Sequence, residues 1–285
     1  MFWDSDVAKV VEGMCYDLVL HPEDKALADE LDKLVALIVS AQQPDGYLNT
    51  HFTVVAPEDR WKHLAWAHEL YNRGGGFGMT GNGLIENCIA DHNSTIYSTT
   101  DSYGGGIAAA NGKVVTCLVY ANTSVCGAGI AALGSAAFYN CTVVTNIASG
   151  SYDGTVGGVY SSSTSAKIYN MIFADNVALT TKSYTGKPCW YGVTTGQVTA
   201  CAFPVGIAVP SSAEGACYTL DPLFRNKAAD DWRLSPDSPA INKGVWNQAW
   251  GLTGTDLLGN ARLKAKKVDL GCYECQTGGL TFIVR

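Results

Sequence analysis

The sequence predicts a mainly β protein: a right-handed parallel β-helix, which is a solenoid, preceded by a short α-helical segment. Glycine-rich heads recur from Gly74 onward at intervals of 23 or 30 residues, and cysteine and asparagine recur behind them. Residues 1–73 instead carry apolar residues at helical spacing. A repeat of about 20 to 30 residues with glycine turns is typical of a β-solenoid. We therefore expect the two parts to meet at Arg73–Gly74.

Composition excludes several classes of protein. The 285 residues are 47% hydrophobic and 16% charged, which indicates a well-packed globular protein. A net charge of −7 argues against nucleic acid as a partner, because such proteins normally carry a basic face. No apolar run approaches the roughly 20 residues of a transmembrane helix. The first residues show no signal-peptide pattern, which predicts either a cytoplasmic protein or a chain whose true start is missing.

The helical segment, residues 1–73, is divided by helix-breaking residues into three predicted helices. The first is indicated by apolar residues at helical spacing from Val7 to Leu18, and His21–Asp24 ends it. The second carries an apolar stripe, consisting of Leu27, Leu31, Leu34, Val35 and Ile38. Residues 42–47 contain Pro44, Asp45 and Gly46, which favour a turn. A third helix is predicted over Trp61–Tyr71.

Three stretches of this segment, residues 2–9, 41–50 and 68–71, resemble glycoside hydrolase family 127. Enzymes of that family are β-L-arabinofuranosidases built on an (α/α)6 barrel. The resemblance implies that seven residues bind substrate near a sugar cavity: Asp4, Asp6, Lys9, Gln43, Asp45, His68 and Glu69. The alternative interpretation is local structure, with Asp4 as a helix cap, Asp45 as a turn residue and the others as ordinary surface or core residues.

The family's catalytic centre has no counterpart in this sequence. The resemblance implies a zinc-thiolate site in which one glutamate and three cysteines bind the metal, two of the cysteines being adjacent in sequence. This chain has no Cys-Cys doublet. Three helices are also too few to close a twelve-helix barrel. We therefore expect no cofactor and no metal, assign no catalytic residue, and expect the arabinofuranosidase-like segment to be inactive alone.

The repeats, residues 74–206, place equivalent residues in register from coil to coil. One predicted ladder fills the narrow interior with small or soft side chains: Cys88, Cys117, Cys141, Met171 and Cys201. A second ladder stands at a tight bend, where stacked amides can bond each other and the backbone: Asn93, Asn122, Asn146 and Asn176. Both sets are predicted to be structural.

Three longer excursions from the repeat, residues 97–103, 149–155 and 182–191, form the predicted contact surface. They carry side chains suited to stacking on a glycan and hydrogen-bonding it, although loop tips are often aromatic and polar for other reasons: Asp101, Tyr103, Tyr152, Asp153, Tyr184 and Trp190. A catalytic coil is disfavoured. No arginine lies between Gly74 and Leu223, and Asp91 and Asp175 lack a third acidic partner.

The C-terminal part, residues 207–285, resembles the closing region of bacterial right-handed parallel β-helix repeat surface proteins. The similarity lies in residues 221–224, 231–244, 255–262 and 268–274. It implies further coils and a cap on the solenoid end, as well as an extracellular or cell-surface location. The apolar material predicted for this cap is Trp232, Leu234, Ile241, Trp246 and Trp250. The leucine stripe of the helical segment is predicted to cover the first coil.

Three hypotheses about function remain open. The first is a carbohydrate-related protein with an incomplete arabinofuranosidase-like segment fused to a β-helix. The second is a non-catalytic surface or glycan-binding β-helix protein. The third is a junction of two gene fragments, since Tyr71–Arg73 runs into the first repeat without a linker. A polysaccharide or glycan is the predicted partner in the first two.

Overall fold

The computed structural model describes residues 3–41, 75–95, 102–150, 155–179, 189–194, 196–209, 217–247, 250, 254–263 and 267–275. The chain forms two compact units, Met1–Ala67 and His68–Arg285. It is mainly β, with a short helical segment before stacked parallel sheets, which confirms the predicted fold class. The join at Arg73–Gly74 lies outside the described residues. It stays a prediction, as does the covering of the first coil by helices.

The described part of the first unit consists of two helices, α1 (Trp3–Leu20) and α2 (Lys25–Ala41). Asp24 begins α2, because its side chain accepts a hydrogen bond of 3.0 Å from the backbone N–H of Leu27. Leu27, Leu31 and Leu34 are half-buried, as the helical spacing predicts, whereas Val35 is exposed. The predicted third helix lies outside the described residues. Neither described helix is long and apolar enough to cross a membrane.

The second unit is built from coils of up to four short strands. The first coil contains β1 (Phe77–Met79), β2 (Leu84–Glu86), β3 (Ile89–Asp91) and β4 (Ser94–Thr95). The second contains β5 (Ile107–Ala109), β6 (Lys113–Val115), β7 (Leu118–Tyr120) and β8 (Thr123–Ser124). The third contains β9 (Ile130–Ala132), β10 (Ala137–Tyr139), β11 (Thr142–Val144) and β12 (Ile147–Ala148).

The fourth coil contains β13 (Val159–Ser161), β14 (Lys167–Tyr169), β15 (Ile172–Ala174) and β16 (Val177–Ala178). The fifth contains β17 (Trp190–Tyr191), β18 (Val198–Thr199) and β19 (Ala202–Phe203), and β20 (Tyr218–Thr219) follows it. Equivalent strands pair in parallel and form four sheets, which we call A to D in the order of strands within a coil. Parallel pairing of each coil on the next makes this unit a parallel β-helix; its right-handed sense stays a prediction.

Left-handed backbone conformations bend the chain at two corners of each coil. At the corner between sheets B and C, a residue with φ near +50° precedes each interior cysteine or methionine: Asn87, Thr116, Asn140, Asn170 and Ala200. At the corner between sheets C and D, a second set precedes each ladder asparagine: His92, Ala121, Thr145 and Asp175. Each bend turns the following side chain towards the interior. The sequence reasoning identified the ladders but not these corners.

The two ladders lie in the interior as stacked columns. The amide Nδ2 of Asn122 donates to Oδ1 of Asn146 at 2.9 Å, and that of Asn146 donates to Oδ1 of Asn176 at 2.9 Å. The ladder of Cys88, Cys117, Cys141, Met171 and Cys201 forms the other column, which we call the sulfur column. Within it, the backbone N–H of Cys117 donates to Sγ of Cys141 at 3.4 Å. Buried apolar side chains fill the space between the columns, among them Phe138 and the stacked rings of Phe173 and Phe203.

The described residues of 221–275, which we call the C-terminal segment, lie along the side of the coils. Strands β21 (Phe224–Asn226) and β22 (Asp231–Leu234) form a hairpin around a short 3-10 helix, Lys227–Ala229. Trp232 and Leu234 pack with Leu118 and Ile172 of sheet C, and Trp250 stacks on Tyr139 of sheet B at 5.4 Å.

Those side chains were expected to cover the end of the solenoid, so the placement of Trp232, Leu234 and Trp250 is corrected here. The reason is that sheets B and C carry apolar residues on their outer faces as well as their inner faces, including Leu118, Val144 and Tyr169. Burial of that outer surface stabilises the lateral position.

Candidate functional site

Of the seven residues implied by the glycosidase resemblance, three lie in the part of the chain that the structure describes. Asp4, Asp6 and Lys9 lie on α1. Gln43, Asp45, His68 and Glu69 lie outside the described residues. Their role in binding a sugar therefore stays a prediction.

The predicted contact surface is described at two of its six side chains, since Asp101, Tyr152, Asp153 and Tyr184 lie outside the described residues. Tyr103 is half-exposed. Trp190 is buried in the solenoid interior, and its Nε1 donates to the carbonyl of Ala208 at 2.8 Å. The expectation that Trp190 faces a ligand is therefore wrong.

Strand periodicity explains the position of Trp190. It pairs with Val159, whose side chain faces inward, so that the next residue, Tyr191, takes the outward position. Tyr191 pairs with Tyr160 in the coil before it. The sequence analysis assigned residues 182–191 to an excursion and so missed Tyr191 as an outward strand position; a strand starting at Trp190 would have revealed the alternation.

Three half-exposed tyrosines form a continuous row on the outer side of sheet A, which we call the tyrosine row. The ring centroids of Tyr103 and Tyr160 are 5.0 Å apart with an interplanar angle of 37°. Those of Tyr160 and Tyr191 are 5.8 Å apart with an angle of 5°. The outward positions of the two preceding coils are the small, buried Ala108 and Ala131.

The central phenol of the row is neutral over the physiological range. Partial burial of Tyr160 raises its pKa to about 12, and the neighbouring Tyr103, which hydrogen-bonds it, acts in the same direction. A neutral phenol both donates and accepts a hydrogen bond. The row therefore combines flat apolar ring surface with hydroxyl groups, which is the combination that a sugar ring contacts through its C–H and O–H groups.

A second polar cluster lies at the corner between sheets C and D. His92 Nδ1 lies 2.9 Å from Oδ2 of Asp91, and the rings of His92 and Tyr120 meet edge to face at 5.7 Å. Tyr120 hydrogen-bonds Asp91, and partial burial together with that carboxylate raises the pKa of its phenol. Each of these side chains thus has a partner within the cluster.

The acidic residues of this corner are too far apart to hydrolyse a glycosidic bond as a pair. Asp91 lies on the first coil and Asp175 on the fourth, a separation of three coil spacings, or about 14 Å. The carboxyl pairs of glycosidases lie about 5 to 9.5 Å apart. Asp175 is also ion-paired with Lys227 at 2.7 Å.

The C-terminal segment contains a buried group of charged side chains that the sequence reasoning did not identify. Arg262 and Glu274 form an ion pair at 2.9 Å, both almost completely buried. Asp269 donates its backbone N–H to Glu274, and the carboxylate of Asp256 accepts the N–H of Glu274 at 3.0 Å. Burial and the neighbouring carboxylate of Asp269 outweigh Arg262 and raise the pKa of Glu274 to about 8.

These contacts give the buried charges a structural role. Arg262 donates to Oγ1 of Thr116 and to the carbonyl of Cys272, which fastens the segment to the second coil. Cys272 and Cys275 are free thiols, and Cys275 donates its backbone N–H to Asp269. Within the described residues no three histidine, cysteine or acidic side chains form a group that could hold a metal ion.

Comparison with known proteins identifies the N-terminal part. Residues 1–86 match the family model for the GH127 catalytic domain of β-L-arabinofuranosidase. A non-reducing end β-L-arabinofuranosidase from Bifidobacterium longum subsp. longum is 40% identical over 78 residues, which are 26% of this chain and 12% of that protein. The N-terminal part is therefore similar to a fragment of a GH127 enzyme, and the chain spans about an eighth of that relative. No solved structure matches the chain.

The family match reaches past the predicted join at Arg73–Gly74. It ends at residue 86, within the first coil, where Phe77 pairs with Ile107 and Ile85 with Val114. These pairs make β1 and β2 part of the solenoid.

Proposed function

We propose that this protein binds a glycan along the tyrosine row of its solenoid, and that its arabinofuranosidase-like segment is incomplete and inactive alone. The similarity to a GH127 fragment supports a carbohydrate-related function. The observation that carries the binding proposal is the row of contacting rings formed by Tyr103, Tyr160 and Tyr191 on the outer side of sheet A.

Binding fits this surface better than hydrolysis for two reasons. The row presents ring faces and hydroxyl groups, which stabilise a bound sugar without supplying an acid and a base. Asp91 and Asp175, two of the acidic residues that the structure describes in the coils, are separated by about 14 Å and each has a polar partner. The solenoid therefore supplies a flat, rigid platform that follows the direction of coil stacking.

The experiment uses the full chain and a β-L-arabinofuranosyl oligosaccharide, titrated by calorimetry. Wild type is expected to bind, and Tyr160→Ala and Tyr191→Ala are each expected to bind about two- to tenfold more weakly, since one aromatic contact contributes about 0.5 to 1.5 kcal/mol. Tyr16→Ala removes an exposed tyrosine of α1 and serves as the matched control. Equal affinities of all four proteins would overturn the assignment of the row.

The same samples test the second half of the proposal. Incubation of the wild-type chain with that oligosaccharide is expected to release no L-arabinose above the rate without protein. Release that disappears in His68→Ala would show that the arabinofuranosidase-like segment is active by itself and would contradict its assignment as incomplete.

A further inference from the structure

The sulfur column of the interior extends one coil further than its sequence pattern indicates. Tyr218 pairs with Ala202, and the backbone N–H of Tyr218 donates to the carbonyl of Cys201 at 2.8 Å. This pairing places Cys217 next to Cys201, at the end of the column. Both cysteines are free thiols and lie sixteen residues apart in the sequence.

The two thiols differ in accessibility and acidity. Cys201 is completely buried, whereas Cys217 is partly exposed. Their side chains hydrogen-bond each other, which lowers the pKa of Cys217 to about 7, while burial raises that of Cys201. Cys217 is therefore the thiol that a soluble oxidant reaches, and it is partly ionised at neutral pH.

The opposite end of the column lacks this combination. Cys88 on the first coil is also partly exposed and adjoins the buried Cys117, but burial and the neighbouring thiol raise the pKa of Cys88. Cys117 and Cys141 are both buried. The end formed by Cys201 and Cys217 is thus the reactive one.

We propose that Cys201 and Cys217 form a reversible disulfide that fastens β20 to β19. Neighbouring parallel strands lie about 4.8 Å apart, within the range of about 4.4 to 6.8 Å that disulfide-linked Cα atoms span. The thiolate of Cys217 attacks one sulfur of an oxidised low-molecular-weight disulfide such as glutathione disulfide and releases one glutathione thiolate. The thiol of Cys201 loses its proton and displaces the second glutathione, so that two protein thiols and one glutathione disulfide give one protein disulfide and two glutathione molecules.

The disulfide joins the end strand of sheet C to the strand beside it. Strand β20 is the last in sheet C, and two residue pairs, Ala202 with Tyr218 and Phe203 with Thr219, join it to β19. A covalent bond between the coils closes the intervening chain and limits the freedom of the unfolded state. Oxidation is therefore expected to hold the end of the solenoid in place.

The test equilibrates the full chain with glutathione disulfide at neutral pH, quenches it with acid, alkylates free thiols and maps peptides by mass spectrometry. The expected product is a monomer with a Cys201–Cys217 link. Two cysteines serve as internal controls and should form no intramolecular link: the exposed Cys15 on α1 and the buried Cys189, which adjoins Gly158. Three results would overturn the proposal. Cys217 could be recovered alkylated, it could be linked to another cysteine, or it could be held as a stable glutathione adduct while Cys201 stays free.

Two variants separate the chemistry from folding defects. Cys201→Ala removes the resolving thiol and should trap Cys217 as its glutathione adduct. Oxidised wild type should melt roughly 5 to 10 °C above the reduced protein, and Cys217→Ser should show no such difference. Formation of the link with unchanged melting temperature would contradict the claim that it holds β20.

Discussion

The asparagine ladder permits a quantitative prediction, because its members have the same chemistry but different numbers of neighbours. Asn146 stands in the middle of the ladder and is fully buried. Its Oδ1 accepts from the backbone N–H of Asn122 at 3.0 Å and from Nδ2 of Asn122 at 2.9 Å. Its Nδ2 donates to Asn176 Oδ1 and to the carbonyls of Val144 and Val119.

Replacement of Asn146 by alanine removes all of these bonds. The backbone N–H of Asn122 loses the acceptor that the structure shows for it, at a cost of about 1 to 3 kcal/mol for a buried unpaired group. The other lost hydrogen bonds add about 1 kcal/mol each. We expect Asn146→Ala to lower the free energy of unfolding by about 5 to 7 kcal/mol.

Asn93 provides the matched control at the first coil. The structure describes one hydrogen bond of the Asn93 side chain, from Nδ2 to Oδ1 of Asn122, and Asn93 is partly exposed. Asn93→Ala should therefore cost about 1 kcal/mol. Urea unfolding followed by circular dichroism in the β region measures both variants. A cost for Asn146→Ala no larger than that for Asn93→Ala would refute the argument that stacked amides stabilise the coils.

Two further predictions concern the buried carboxyl and a strained turn. The folded-state pKa of Glu274, about 8, lies above its ordinary value of 4.5, so the stability that it contributes is complete below about pH 4.5 and is lost as pH rises to about 8. The difference in unfolding free energy between wild type and Glu274→Gln should therefore fall as pH rises over that window. A difference that does not change with pH would contradict this. Gly192→Ala should cost about 2 to 4 kcal/mol by urea unfolding, because φ is +69° and the new methyl meets the carbonyl of Ser161. Gly81→Ala, with open space around it, should be nearly neutral, and equal costs would sink the steric reason.

Much of the fold follows from the sequence because a solenoid repeats its own environment. The ladder cysteines and asparagines recur at fixed offsets, since each coil must place a small or amide side chain at the same corner. The residues that bend those corners are not recognisable as a set, because Asn87, Thr116 and Ala200 have little chemistry in common. Packing against neighbouring coils holds them in the left-handed conformation.

The tyrosine row was not predictable for a related reason. Whether Trp190 or Tyr191 faces outward depends on register, and a shift of one residue exchanges the two faces of a strand. The lateral position of the C-terminal segment likewise depends on contacts between residues more than a hundred positions apart, such as Arg262 with Thr116. Local sequence patterns contain no information about such pairs.

The most direct test of glycan binding by the tyrosine row is hydroxyl-radical footprinting of the full chain with and without the β-L-arabinofuranosyl oligosaccharide. Oxidation of each tyrosine is measured by peptide mass spectrometry and normalised to the exposed Tyr16. Protection of Tyr160 and Tyr191 is the predicted result, since both lie half-exposed in the row. Unchanged oxidation of both rings under saturating oligosaccharide, or protection confined to α1 and α2, would contradict the account.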